Sequence, residues 1–238
     1  MSYFPIYAGV LGVALSAVSG CSGGSSAGDD DPIGGGGGGG TDPDPIDLPS
    51  DLNVATAAES AAYYDIVNTD FPTVRSAAVA GGGTPLPTTG TVTYEGYMNL
   101  IVGNATVSAN VIGAATVQAS FASATLSGSA TDFMGVAIDE YDTTQVAHYE
   151  GTITIDNGDI FAGTDGSADV DFDISGTLDN GLNLFAVDGN LVGGFNGTNA
   201  DGLYALGSNT GVHGDIDATI DGAAATIGIA TVSVVAVP

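Results

Sequence analysis

From Thr88 onward, polar and apolar residues alternate along most of the chain. The clearest run is Ser167–Ile174, where Asp169, Asp171 and Asp173 fall on one face and Ala168, Val170, Phe172 and Ile174 on the other. A strand of this kind is wet on one side and packed on the other. The same period recurs in Thr91–Glu95, Thr106–Val111, Thr116–Phe121, Gly151–Ile155, His213–Asp217 and Thr226–Val232. Turn chemistry separates these runs: Asp156-Asn157-Gly158-Asp159, Asp179-Asn180-Gly181, Asp188-Gly189-Asn190 and Asp221-Gly222. The pattern predicts an all-β antiparallel meander over residues 88–238, closed as an up-and-down barrel of about eight strands, because closure removes exposed edges.

Three other segments precede the barrel. Residues 51–87 predict a short helical and irregular lead-in. In it Thr56 and Glu59 have capping-box spacing, a helix runs to Val67, and Tyr63, Tyr64 and Val67 are candidate buried positions. The Gly81-Gly82-Gly83-Thr84-Pro85-Leu86-Pro87 stretch then marks a break. Residues 21–50 are Gly, Ser, Asp and Pro almost throughout, with an unbroken glycine run from Gly34 to Gly40. Too little apolar surface is available there to offset ordering entropy, so the segment reads as a flexible acidic leash. Residues 1–20 read as a lipoprotein signal peptide, with an apolar run from Ile6 to Ala17 closing on Val18-Ser19-Gly20-Cys21. Cys21, the sole cysteine, is the expected lipidation site, and several acyl chains there give durable anchoring where one holds only reversibly. Ser22 following it favours the outer membrane over retention at the inner one.

Charge narrows the partners. The chain carries 28 Asp and Glu against one basic residue, Arg75, for a net charge of −27. No basic surface exists to displace phosphate counterions, which excludes nucleic acid as a partner. So strong a field of one sign repels itself and is relieved by salt, which suits a marine or halophilic source with divalent cations as loose counterions.

Tyr94-Glu95-Gly96, Phe121 with Leu126-Ser127-Gly128, and above all Gly194-Phe195-Asn196-Gly197-Thr198-Asn199-Ala200 resemble the C-terminal barrel domain of transferrin-binding protein B and its small lipoprotein relatives, the transferrin-binding-protein-like solute-binding proteins. Phe195, Gly197 and Ala200 have the family's spacing, although Asp201-Gly202-Leu203-Tyr204 replaces its usual continuation. The resemblance covers roughly residues 86–238. It implies an eight-stranded soluble barrel displayed at the outer membrane, with its loops as contact surfaces, but not transferrin as the ligand. Read on its own, Gly-Phe-Asn-Gly is a structural bend with Phe195 filling the space over the glycines.

Catalytic chemistry is sparse. The two histidines, His148 and His213, lie in no nucleophile-activating motif, and Cys21 is taken by lipid, so an enzyme is not expected. Metal binding has two candidate sets. His213, Asp215 and Asp217 have i, i+2, i+4 spacing for one strand face, and Asp169, Asp171 and Asp173 form a ladder that could collect Ca²⁺ loosely. No other cofactor is implied. The leading expectation is a lipid-anchored binding module that captures a solute or macromolecule and passes it to an outer-membrane transporter. The alternatives are a display lipoprotein without a ligand and an integral membrane barrel, against which stand the absence of Trp and of aromatic girdles.

Overall fold

The computed structural model describes residues 52–138, 145–210 and 213–237. The expected signal peptide, the Cys21 lipidation site and the expected leash lie outside the described residues. Nine strands follow a helical lead-in: β1 Thr91–Gly103, β2 Ser108–Ser120, β3 Thr125–Ile138, β4 Val146–Ala162, β5 Ala168–Asp179, β6 Leu184–Asn196, β7 Gly202–Gly207, β8 Ile216–Ile220 and β9 Ala223–Ala236. All pair antiparallel with their neighbours, and β1 pairs with β9, which closes the sheet. Both β7 and β8 lie against β6 and β9, so together they make one interrupted staff and the barrel has eight positions.

The interior is apolar and filled. Tyr94, Met98, Phe133, Tyr149, Ile153, Phe172 and Phe195 are each less than 2% exposed. On β5 the alternation sends Val170, Phe172 and Ile174 inward and Asp169, Asp171 and Asp173 outward. Acidic residues at mid-strand on the outer wall are the reverse of what a lipid-facing barrel requires, where a charge near the bilayer midplane is costly. The barrel is therefore of the soluble type, as expected, and the integral-membrane alternative falls away. No described helix is long and apolar enough to cross a membrane.

The strands are longer than their sequence signals. The runs expected at 106–111 and 116–121 merge into one strand, β2, which spans Ser108–Ser120. Asp156-Asn157-Gly158-Asp159, expected as a turn, is a bulge within the 17-residue β4, where the register shifts and Asn157 takes a φ of 49°. Asp188-Gly189-Asn190 likewise runs through β6, because Gly189 pairs with Ile174 on one side and Ile216 on the other. Turn-forming residues are also bulge-forming ones, and only the flanking pairings decide between the two.

The lead-in is a strap on the outer wall. It comprises α1 Ala57–Asp65, a π-helical turn Ile66–Asp70 and α2 Phe71–Ala78. The helix thus continues eleven residues beyond the expected end at Val67, because Pro72 sits in the first turn of α2, where a missing N–H costs least. Tyr63 is buried and Val67 partly so, but Tyr64 is 47% exposed. Tyr63, Ile66, Val67 and Phe71 pack on outward-facing Tyr97, Ile112, Met134 and Val136 of β1, β2 and β3, forming a second small core outside the barrel. Glycine at 202 lets α2 approach, since a Cβ there would lie 2.6 Å from the Ala78 backbone.

Both ends of the strap are pinned. Before it, Asn53–Ala55 fills the stretch of β4 that β5 does not reach, with Ala55 N donating to Val146 O at 3.0 Å and His148 N to Asn53 O at 2.9 Å. The expected capping box forms: Thr56 N and Oγ1 each donate to Glu59 Oε2 at 2.7 Å, and Glu59 N donates to Thr56 Oγ1 at 3.3 Å. His148 Nε2 lies 3.3 Å from the same carboxylate. These bonds, those from Thr56 foremost, lower the Glu59 carboxyl from 4.5 to about 2. A depressed folded value means that the contribution is whole above the ordinary pKa and is lost as pH falls through the folded one. The Thr56 amide resonance is expected to titrate near pH 2; an inflection at the ordinary glutamate value would show that the box does not form in solution.

Candidate functional site

Two places on the barrel gather residues singled out in the sequence. The first is an internal knot at one end. Phe195 on β6 has ring centroids 5.6 Å from Tyr94 on β1 and 5.1 Å from Phe121 after β2. Tyr94 Oη donates to the Ala200 carbonyl at 2.7 Å, and Ala200, itself fully buried, takes a φ of 59°. Burial pushes the Tyr94 hydroxyl pKa well up, so it stays a neutral donor. Gly197 has a φ of 87°, donates its N–H to Gly82 O at 3.0 Å and offers its carbonyl to Thr84 Oγ1. A Cβ on Gly81 would meet the Gly197 Cα at 2.9 Å. Phe195, Gly197 and Ala200 thus close the barrel end and moor the strap. Buried ring contacts and backbone hydrogen bonds give the segment a packing role.

The second place is a groove on the outer wall, with a volume of about 330 Å³. Sheet register builds it. Asp169 of β5 stands opposite Gly194 of β6, and Gly194 stands opposite Tyr204 of β7. With strands about 4.8 Å apart, the carboxylate and the phenol ring are separated by a position that has no side chain. In the adjoining row Val192 pairs with Leu206, an apolar floor on an otherwise acidic wall. Ser167 orients two carboxylates at the rim: its N–H donates to Asp165 Oδ1 at 2.9 Å and its hydroxyl to Asp169 Oδ1 at 2.6 Å. The Ser167 bonds lower the Asp165 pKa, keeping that group ionised. Val79, the C-cap of α2, completes one side, and Arg75 stands nearby with Nη2 donating to Tyr204 Oη at 3.1 Å and its guanidinium 5.5 Å from the ring centroid.

His213 reaches the groove from the gap between β7 and β8. Asn190 N donates to Asp215 O at 2.9 Å and Val192 N to His213 O at 3.2 Å, so the excursion is held to β6 by backbone bonds. Here the expected His213–Asp217 strand is corrected. Only Asp217 lies in β8; His213 lies in a bend and Asp215 in an isolated bridge with Ser208. Gly214 breaks the run with a φ of 118°, its Cα so close to Asn190 that a Cβ would meet the Asn190 carbonyl oxygen at 2.4 Å.

The acidic ladder has its own arrangement. Asp171 stands opposite Asp159, Asp173 opposite Asp156, Asp188 opposite Asp217 and Glu150 opposite Asp179. Asparagines tie some of these carboxylates down: Asn190 Nδ2 donates to Asp171 Oδ1 and Asn157 Nδ2 to Asp173 Oδ2, both at 2.9 Å. Neither expected metal set converges. Among the described residues no three His, Cys, Asp or Glu side chains could hold a metal ion together. On a strand, carboxylates two residues apart share a face yet stand too far apart to close on one ion without a loop bending back.

No family model matches this chain, and no curated protein or solved structure matches it significantly. The site reading therefore stands on the geometry. Of the groove residues, Asp169 and His213 were legible as candidates in the sequence, whereas Asp165, Gly194 and Tyr204 were not. The one local signal was the doubled glycine Gly193-Gly194 ahead of Phe195.

Proposed function

We propose that this chain is a non-catalytic binding module, lipid-anchored through Cys21 at the outer membrane, whose soluble barrel is held off the surface by the Gly/Asp leash. One observation supports the binding role above the others: the barrel interior is packed with apolar side chains, while the outer wall carries a concave, mixed polar and apolar groove. Contact with a ligand then falls to the outer wall and the loops, as the likeness to the transferrin-binding protein B barrel also implies.

The anchor and the binding role are tested separately. Palmitate fed to cells of the natural host is expected to label the mature protein and to leave the Cys21→Ala variant unlabelled. A mature chain with a free thiol and its leader attached would overturn the anchor. For binding, cross-linking on intact cells followed by purification of the full chain is expected to retain a reproducible solute or protein, depleted by competing unlabelled chain. Recovery of the chain alone would point to a display lipoprotein instead.

A further inference from the structure

The groove over β6 and β7 lies above Gly194. A Cβ on Gly194 would lie 3.1 Å from the Ala168 carbonyl oxygen and 3.4 Å from Asp169 Oδ1, tight but short of a clash, and the φ of Gly194 is not in the left-handed region. A small side chain could nearly be accommodated there. Its absence opens a slot between Asp169 and Tyr204.

We propose that this slot binds a small aliphatic amine, its slim stem lying over Gly194 and the Val192–Leu206 floor and its ammonium group held by Asp165 and Asp169. This rests on the reading of the chain as a binding module and names the ligand class. The chemistry of the lining selects it. An anion is repelled by both carboxylates and by a chain of net charge −27. A wholly apolar ligand would strip water from Asp165, Asp169 and Asn196 without replacing it. A bare metal ion finds no set of three ligands among the described residues. An ammonium on an alkyl stem meets carboxylates that each retain free acceptor capacity, an apolar floor for its methylenes and an aromatic wall.

One further feature favours a cation: Val79 ends α2 at the groove, which brings the negative end of a helix to it. Arg75 covers one side of the Tyr204 ring, so a ligand meets the other. The groove's volume of about 330 Å³ is the size of a small-molecule site, which commits the proposal to a free amine.

The test is calorimetric titration of the full chain with 1,4-diaminobutane at low salt, with 1,4-butanediol as the neutral compound of the same length. The diamine is expected to bind at one site and the diol not to bind. Asp165→Asn with Asp169→Asn should weaken binding about tenfold or more, the scale of two partly exposed charge pairs. Asp188→Asn with Asp217→Asn removes the same charge elsewhere on the wall and should leave affinity within about twofold. Gly194→Leu fills the slot without touching charge and should abolish binding; cooperative unfolding of each variant confirms that it folds. Equal weakening by the two Asp pairs would mean diffuse counterion attraction and would overturn the proposal. So would equal binding of the diol, or no binding of the diamine. Partner recovery on cells is independent of the amine, so failure here leaves the binding-module reading to its own test.

Discussion

Replacing Phe195 by alanine is expected to destabilise the protein by about 3–5 kcal/mol, the usual cost of emptying a phenylalanine site that cannot collapse. The site cannot collapse because its walls come from four parts of the chain. Tyr94 is fixed by its bond to Ala200, Phe121 by the end of β2, and the backbone carbonyl of Phe195 itself receives Thr84 N at 3.1 Å. For a domain of this size the loss corresponds to a fall in melting temperature of about 10 °C. Tyr94→Phe keeps the packing and removes one hydrogen bond, so it should cost only about 1 kcal/mol together with the unsatisfied Ala200 carbonyl. Urea denaturation of both variants checks the ratio. If the two cost the same, the knot is held by the hydrogen bond and the aromatic packing is incidental.

A second large effect is expected from salt. Like charges directly opposite on neighbouring strands destabilise a sheet by roughly 0.2–1 kcal/mol per pair. The wall has Asp159 facing Asp171, Asp156 facing Asp173, Asp188 facing Asp217 and Glu150 facing Asp179, with no basic residue among them. Raising NaCl from about 0.1 M to about 1 M shortens the screening length from about 10 Å to about 3 Å, below the spacing between strands. The melting temperature should climb by about 5 °C. Asp159→Asn with Asp188→Asn breaks two of the pairs, so this variant should melt higher at low salt and respond to salt about half as strongly. An unchanged slope would mean that the salt effect comes from the net charge as a whole, and the register of the pairs would be irrelevant.

The alternation made the barrel legible, and the reason is local. A strand half buried in a closed sheet must put every second side chain inside, as Ala168, Val170, Phe172 and Ile174 are. The capping box was legible for the same reason, since both its partners lie within one turn. Strand lengths were not, because Asn157-Gly158 and Gly189 can turn a chain or bulge within it, and the choice belongs to pairings with residues far along the sequence. The second helix escaped notice because Pro72 reads as a breaker unless a preceding π turn supplies its first-turn position.

By itself, then, the chain's order of residues determined an all-β closed sheet, a capped helix ahead of it and a strongly acidic composition. Only the tertiary structure decided where the wall is notched. Asp169, Gly194 and Tyr204 become neighbours through register between β5, β6 and β7, and the strap brings Val79 to the same spot from far earlier in the chain. Periodicity fixes which face a side chain takes. The side chains beside it across the sheet are fixed by the packing of the whole barrel.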